Sequence, residues 1–230
     1  MVSCALLGVS CGDTSRNDTV VGMTYVGEGF PMGLSTSEGF GLHLFDTPSA
    51  AQGFKKMPPE TGARRHYDEF KIAGAIFRVI TEASNPPRFY VDANHNGDMT
   101  DDPGPFVGER PGLMPNFYTL QLPYPKEKLS AEYRVWIFPS RMGGTRFYAA
   151  CHTVGQLVLP GSAKRYRIVL FDANADGDYS NDPLIVDVNA DDRAQDSEKL
   201  TPGRSLRLDG VEVTLKAIAP SGRTVVFRFP

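Results

Sequence analysis

The sequence predicts a mainly β protein with very little helix, arranged either as an antiparallel β-sandwich or as two small β subdomains related by an internal repeat. From residue 70 to the end, short runs of apolar and β-branched residues alternate with turn signals. The 23 glycines and 18 prolines supply many of those turns. No apolar pattern with the helical period extends over a dozen residues, so we expect no long helix.

The strands before residue 140 are predicted from local composition. Residues 20–26 form a β-prone run near the N terminus. Residues 75–80 and 88–92 flank a reversal at Asn85-Pro86-Pro87, which is typical of a hairpin. Residues 133–138 carry large apolar side chains on both faces, which favours a strand covered on both sides.

The strands of the second half are marked by clearer turns. Residues 156–159 and 166–172 flank Pro160-Gly161, which predicts another hairpin. The strongest hairpin signal is Asp209-Gly210, because a type I′ turn needs positive φ at both central residues. Alternating apolar residues on both sides of it, and a further turn at 220–222, predict a three-stranded C-terminal meander with one apolar face.

The charge of the chain is concentrated in two short windows. The formal net charge of −3 indicates neither nucleic acid nor an anionic membrane as a partner. Residues 92–103 and 172–183 each hold four aspartates and no lysine or arginine. The two windows contribute −8, so the remainder of the chain carries +5. A local concentration of acid calls for a local explanation.

The N-terminal segment combines an apolar run with a cysteine. Residues 1–9 form a short apolar run, and Leu7-Gly8-Val9-Ser10 leads into Cys11. This arrangement resembles the export signal and lipobox of a bacterial lipoprotein. The resemblance implies lipid attachment at Cys11, with the polar residues 12–19 as a tether. No later run approaches the ~20 apolar residues of a membrane span. We therefore expect an exported protein, periplasmic or on the cell surface, that meets the membrane only through its lipid.

An internal repeat is the main evidence about function. Residues 92–103 read DANHNGDMTDDP and residues 172–183 read DANADGDYSNDP, with ten of twelve positions identical or closely similar at an offset of 80. Each copy follows a predicted hairpin whose second strand runs into the first aspartate. This duplication predicts a first β unit over 20–125 and a second over 126–230, after an export signal and tether over 1–19.

The repeated loops have the composition and spacing of calcium ligands. Calcium takes six to eight oxygen ligands, and alternate residues of a tightly wound loop can aim their oxygens at one point. The predicted ligands of the first loop are Asp92, Asn94, Asn96, Asp98, Thr100 and Asp102. Those of the second loop are Asp172, Asn174, Asp176, Asp178, Ser180 and Asp182. Gly97 and Gly177 supply the positive φ that the winding requires.

Each loop resembles the EF-hand calcium loop over about twelve residues, with ligands at positions 1, 3, 5, 7 and 9 and glycine at position 6. Position 12, where the EF-hand has a bidentate glutamate, is Pro103 or Pro183. We expect Asp102 and Asp182, one position earlier, to close the loops. The flanking segments are predicted strands, so the helix–loop–helix arrangement is not expected. Extracellular modules of this kind bind calcium near ~10⁻⁴ to 10⁻³ M, which suits a structural clamp.

The pattern of strand, DANxDGDxxxDP and C-terminal hairpin is similar to β domains of exported bacterial proteins and lipoproteins with Asp-x-Asn/Asp-x-Asp-Gly calcium loops. Some of those domains precede a thioredoxin-like domain, but this sequence has no Cys-x-x-Cys. The resemblance implies a calcium-binding module with a structural or partner-binding role. It names no substrate, and we expect the protein not to be an enzyme; its partner could be a protein or a glycan.

Two other functions stay open at this stage. One is a carbohydrate-binding module in which Trp136, with Tyr133 and Phe138, would stack on sugars. The other is a carbohydrate-active hydrolase using acids such as Asp98 and Asp101, since glycosidases need paired carboxylates across a cleft. Packing inside the protein is the simpler explanation for Trp136. The adjacent Cys151 and His152 are not expected to form a thiol–imidazole pair, because neighbouring residues of a strand point to opposite faces.

Overall fold

The structure is a computed structural model, and it describes residues 17–29, 32, 40–43, 52–107, 116–139 and 144–230. Within these residues the protein is mainly β, as predicted, and its helical elements are short 3-10 turns at Tyr179–Asn181 and Asp196–Glu198. Cys11 and the rest of the proposed export signal lie outside the described residues. No helix in the described ranges is long and apolar enough to cross a membrane.

The described residues form the following strands. They are β1 Asp18–Gly22, β2 Thr24–Val26, β3 Phe40–His43, β4 Arg65–Ile72, β5 Ala75–Glu82, β6 Arg88–Val91, β7 Phe106–Val107, β8 Asn116–Tyr124, β9 Leu129–Pro139, β10 Gly144–Ala149, β11 His152–Val158, β12 Arg165–Phe171, β13 Leu184–Asp187, β14 Lys199–Leu200, β15 Ser205–Leu208, β16 Val211–Ile218 and β17 Thr224–Arg228.

These strands make four antiparallel sheets. Their spatial orders are β4-β5-β6-β7, β3-β10-β9-β8, β2-β11-β12-β13-β14 and β1-β17-β16-β15. The predicted hairpins β5–β6 and β11–β12 are confirmed. So is the C-terminal meander: Asp209 and Gly210 both have positive φ, and Leu208 pairs with Val211 across the turn.

The order of the sheets repeats along the chain. In the first half, the hairpin β5–β6 leads into an acidic loop and then β7, which is followed by the antiparallel strands β8, β9 and β10. In the second half, β11–β12 leads into an acidic loop and β13, which is followed by the meander β15–β16–β17. The expected boundary between residues 125 and 126 falls in the turn joining β8 to β9, and the division into two units stays a prediction.

The β-prone run over residues 20–26 is divided between two strands. The chain forms β1 and β2, which belong to different sheets because β1 pairs with β17 and β2 with β11. The break falls at Met23, whose amide donates to the Arg223 carbonyl at 2.8 Å. Pairing over such a sequence separation depends on tertiary structure and leaves no local signal.

The four sheets share a hydrophobic core. One cluster of buried side chains contains residues from each sheet, including Phe77, Leu120, Ile168 and Phe227, each 0% exposed. Antiparallel strands with one apolar face need such a partner surface to bury it. The acidic loops therefore emerge from strands that are anchored in a common interior.

Candidate calcium-binding loops

The two acidic loops occupy equivalent places in the two repeated sheets. Loop 1 (residues 92–103) connects β6 to β7, and loop 2 (residues 172–183) connects β12 to β13. Position 1 of each loop is fully buried, since Asp92 and Asp172 are both 0% exposed. Each aspartate follows a strand with buried side chains, so the core holds the start of the loop in place.

The two loops wind in the same way. In loop 2, the side-chain oxygens of Asn174, Asp176 and Asp178 each accept a hydrogen bond from the amide two residues later, at 2.8 to 2.9 Å. The equivalent residues of loop 1 make the same bonds at 2.6 to 3.0 Å. These consecutive Asx turns place alternate polar side chains on the inner side of the loop.

Left-handed backbone at positions 4 and 6 tightens both loops. Position 4 has a φ of 52° at His95 and 57° at Ala175, and position 6 has a φ of 84° at Gly97 and 78° at Gly177. The amide at position 6 points back to position 1: Gly177 donates to Asp172 Oδ2 at 2.8 Å, and Gly97 donates to Asp92 Oδ2 at 2.9 Å. In loop 2 the other oxygen, Asp172 Oδ1, also accepts a hydrogen bond, from the Asp176 amide at 3.2 Å.

The acid at position 11 returns to the beginning of each loop. Asp102 Oδ1 accepts a hydrogen bond from the Ala93 amide at 3.0 Å, and Asp182 Oδ1 accepts one from the Ala173 amide at 3.1 Å. The structure thus brings the expected closing acids beside position 1, although proline stands at position 12. It does so without the helix that would follow an EF-hand loop.

Buried carboxylate oxygens are left without a partner at both closures. In the described part of the chain, Asp92 Oδ1, Asp102 Oδ2 and Asp182 Oδ2 are buried and have no hydrogen-bond partner. Burial, and to a smaller extent repulsion from the position-1 aspartate, raises the pKa of Asp102 to about 6 and that of Asp182 to about 7. Burial also raises the pKa of Asp92 and of Asp172. Two mutually repelling buried carboxyl groups are a site where a cation would be strongly stabilising.

Positions 5 and 10 form a pair whose members are exchanged between the loops. In loop 1, the Asn96 amide donates to Asp101 Oδ2 at 2.9 Å. In loop 2, the Asn181 amide donates to Asp176 Oδ2 at 2.8 Å. Each pair contains one carboxylate and one amide, so asparagine at position 5 does not reduce the charge of loop 1. Comparing position 5 alone does not reveal that position 10 compensates for its change, although both positions can be read in the repeat.

Two tyrosines of the β8–β9 hairpin anchor loop 2. The Tyr133 hydroxyl donates to Asp172 Oδ2 at 2.6 Å, and the Tyr124 hydroxyl donates to the Gly177 carbonyl at 2.8 Å. The Ala73 amide, in the turn between β4 and β5, donates to the Asp176 carbonyl at 2.9 Å. The sequence did not predict these contacts, because nothing local marks a contact between segments so far apart in the chain.

Cations approach loop 1 more closely than loop 2. An Arg78 guanidinium nitrogen lies 3.7 Å from Asp92 Oδ2, and the Lys56 ammonium lies 3.7 Å from Asp98 Oδ2. Among the described residues, no lysine or arginine forms an ion pair with a predicted ligand of loop 2. The negative charge of the predicted ligands is therefore partly balanced by Arg78 and Lys56 in loop 1. In loop 2 no such ion pair balances it within the described residues.

The predicted ligands are a mixture of oxygen types. Within the described residues, no three His, Cys, Asp or Glu side chains come together as a group that could hold a metal ion. Calcium also accepts amide, hydroxyl and backbone carbonyl oxygens. In both loops the amide and hydroxyl at position 9 donate to Oδ1 of the position-7 aspartate and tie that side chain to the loop. In an EF-hand loop, position 7 supplies its backbone carbonyl.

Three other residues named from the sequence are buried or hydrogen-bonded within the protein: Cys151, Tyr133 and Asp101. Cys151 is 0% exposed, and burial raises the pKa of its thiol to about 11. Tyr133 is 1% exposed and bonded to Asp172, so it cannot stack on a sugar as the carbohydrate hypothesis supposed. The side chain of Phe138 lies outside the described set. Asp101 accepts hydrogen bonds from Asn94 and Asn96 and so takes part in the winding of loop 1.

Comparison with known proteins found no matching family model, curated protein or solved structure. The interpretation of the loops therefore depends on their own geometry and on the repeat inside the chain.

Proposed function

We propose that this chain is an exported calcium-binding β protein in which loops 1 and 2 each hold one calcium ion. The observation that carries the proposal is the closure of loop 2, where Asp172 and Asp182 are 0% and 3% exposed and Asp182 Oδ2 has no partner. A loop that served only to reverse the chain would need two or three turn-forming residues and no buried carboxylate pair. Calcium would neutralise the pair and use its free oxygen.

Calcium suits the ligand set better than magnesium does. Magnesium demands near-ideal octahedral geometry and retains several waters, whereas calcium accepts six to eight oxygens in flexible arrangements. The loops offer carboxylate, amide and carbonyl oxygens from a single irregular turn. Hydrogen bonds from backbone amides to the side chains at positions 3, 5 and 7 hold this winding.

The proposed role of the ions is to brace the sheets. Loop 2 belongs to the second repeat, yet its backbone bonds to Ala73 and Tyr124 of the first repeat. Loop 1 is joined to the edge of β8 by a 2.8 Å hydrogen bond from the Gln121 amide to the Ala93 carbonyl. An ion that stiffens either loop also stiffens these contacts. At a free calcium concentration of tenfold Kd, each site contributes about 1.4 kcal/mol of stability.

The cellular location is part of the proposal. A lipid on Cys11 would attach the protein outside the cytoplasm, where calcium reaches the ~10⁻⁴ to 10⁻³ M affinity range typical of extracellular modules. We propose no catalytic role. The rigid loops and sheets would present a surface to a partner whose chemistry the sequence does not specify.

Thermal melting tests the proposal. Two sites saturated to tenfold Kd add about 2.8 kcal/mol, which for a chain of this size raises the Tm by roughly 6–11 °C over a sample with chelator. Magnesium at the same concentration should raise the Tm by a smaller amount. A calcium shift below about 2 °C, or an equal shift with magnesium, would contradict the proposal.

An aromatic row on the β8–β9–β10 sheet favours carbohydrate binding as a second candidate. Phe117 and Trp136 stack at 6.0 Å, and Trp136 lies 6.1 Å from Tyr148. Phe117 is 43% exposed and the Arg134 guanidinium lies 4.7 Å from its ring centre. A glycan array should show binding by the wild type that a Trp136→Ala variant loses. No binding by the folded wild type would remove this candidate.

A further inference from the structure

A third stretch of the chain, residues 187–198, has the spacing of loops 1 and 2. It begins with Asp187, the last residue of β13, and reads DVNADDRAQDSE. Asp, Asn and Asp stand at positions 1, 3 and 5, and Glu198 stands at position 12. Loop 3, as we name residues 187–198, therefore has the acid at the place where loops 1 and 2 have proline. Position 6 is Asp192 rather than glycine, which hid the pattern in the sequence.

The backbone of loop 3 follows the other two loops. Position 4, Ala190, has a φ of 59°, and position 6, Asp192, has a φ of 56°. Asn189 Oδ1 accepts a hydrogen bond from the Asp191 amide at 3.1 Å, and Asp191 Oδ1 accepts one from the Arg193 amide at 2.9 Å. The left-handed residues at positions 4 and 6 and the Asx turns at positions 3 and 5 thus recur as in loop 2.

Glu198 closes loop 3 in the way that Asp102 and Asp182 close the others. It is 3% exposed, and its Oε1 accepts a hydrogen bond from the Val188 amide at 3.0 Å. Its Oε2 accepts one from the Gln195 amide at 3.3 Å, whereas Asp102 and Asp182 each have one unpartnered oxygen. Val188 is at position 2, which is the position whose amide binds the closing acid in loops 1 and 2. The longer glutamate at position 12 reaches the same amide as the shorter aspartate at position 11.

The anchoring contact at position 8 is also shared. The amide at this position donates to a backbone carbonyl of a distant segment in every loop: Met99 to Lys56, Tyr179 to Pro220, and Ala194 to Met32, each at 3.0 Å. Loop 3 therefore shares with loops 1 and 2 the contact that anchors position 8 to a distant segment.

An independent observation points to a ligand. Asp187 is 7% exposed, and its Oδ1 is buried without a hydrogen-bond partner in the described part of the chain. Because side chains alternate along a strand, Asp187 lies on the same face of β13 as Ile185. Ile185 belongs to a small core cluster against which Ala194 of loop 3 packs. The unpartnered carboxylate therefore lies on the side of β13 that the loop covers.

Two basic side chains near loop 3 are paired with acids that are not predicted ligands. Arg167 pairs with Asp192 at position 6, and Lys199 pairs with Asp196 at position 10 at 2.8 Å. Within the described residues, no lysine or arginine forms an ion pair with Asp187, Asp191 or Glu198. The carboxylates at positions 1, 5 and 12 are the ones that an ion would need, and these remain without a basic partner.

We infer that loop 3 is a third divalent-cation site, selective for calcium, with Asp187, Asn189, Asp191 and Glu198 as side-chain ligands and the Arg193 carbonyl as the position-7 ligand. This inference rests on the proposed function of loops 1 and 2, whose winding it extends. Glutamate at position 12 can supply two oxygens, which the spacing D-x-[DN]-x-[DN] with a glutamate at 12 uses for calcium. Loops 2 and 3 lie at opposite ends of β13, so the two ions would fix both ends of this buried strand.

Equilibrium dialysis of the full chain against radioactive calcium tests the inference, because it counts ions per molecule. At 10 mM free calcium we expect three ions in the wild type and two in Glu198→Gln and in Asp187→Asn. Asp196→Asn is the matched control, since Asp196 lies in the same loop and is paired with Lys199 at the surface; it should retain three. Cooperative melting of each variant in calcium shows that it is folded.

The outcomes separate this inference from the proposed function. Two ions in the wild type and two in Glu198→Gln would overturn the third site and leave loops 1 and 2 intact. Three ions in both proteins would also overturn it, because the third ion would then lie elsewhere. No bound ion in the wild type would overturn the proposed function together with the third site.

Discussion

Replacing Gly177 by alanine tests whether the winding of loop 2 is locked by the core of the first repeat. Gly177 has a φ of 78°, a conformation that costs an L-residue about 1–2 kcal/mol. A Cβ at this position would lie 2.9 Å from both Ile72 Cγ1 and Leu122 Cδ1. Ile72 and Leu122 are 1% and 0% exposed, so neither side chain can move into solvent. Overpacking of this kind costs about 1–3 kcal/mol more.

The expected total is a loss of about 2–5 kcal/mol in the free energy of unfolding, from the backbone and overpacking costs together. Urea denaturation in the presence of chelator measures it without any contribution from calcium. Gly161→Ala is the matched control, because Gly161 has a φ of 74° and no atom within 4 Å of the added Cβ. Gly161→Ala should lose only the backbone cost. If Gly177→Ala were no less stable than Gly161→Ala, the close packing of loop 2 against the first repeat would be wrong.

Three further predictions concern binding at loops 1 and 2. Tyr133→Phe removes the hydroxyl that donates to Asp172 Oδ2 at 2.6 Å. A lost hydrogen bond to a charged group costs ~1.5 kcal/mol, which corresponds to an affinity for calcium about 10-fold lower. Calorimetric titration should show this loss with an unchanged number of bound ions. Because the folded-state pKa of Asp182 is about 7, above its unfolded value, the calcium-free fold loses stability as pH rises through that pKa. The Tm gain on adding calcium should consequently be larger at pH 8 than at pH 5; a gain independent of pH would contradict this. Arg78→Gln removes a cation 3.7 Å from Asp92 Oδ2. It should lower the stability of the protein in chelator and raise the affinity of loop 1 for calcium. Weaker calcium binding by this variant would contradict Asp92 as a calcium ligand.

Much of the fold was predictable because the sequence signals were local. Asp209-Gly210 between alternating apolar residues predicts the turn and the register of β15 and β16, and both are confirmed. Pairings between distant segments were not predictable. β1 pairs with β17 and β2 with β11, and the chain between them changes sheet at Met23 without any turn signal.

The candidate site was predictable in its inner residues and not in its supports. The repeat of aspartates predicts both the winding of the loops and the closing acids at position 11. Tyr133 and Tyr124 were missed, because their contacts with loop 2 join residues far apart in the sequence. Loop 3 was missed for another reason: Asp192 adopts the left-handed conformation that the motif assigns to glycine. Aspartate tolerates this conformation better than most residues do.

Residue-level NMR during a calcium titration of the full chain tests the central claim most directly. Gly97 and Gly177 donate their amides to the position-1 aspartates, so these two amide resonances should shift and saturate at millimolar calcium. Gly161 and Gly203, which lie in turns outside the loops, should remain unchanged. Saturating shifts confined to the acidic loops would support the account. If neither loop glycine responded, or if small unsaturating shifts were spread over acidic residues of the surface, the loops would not be calcium sites.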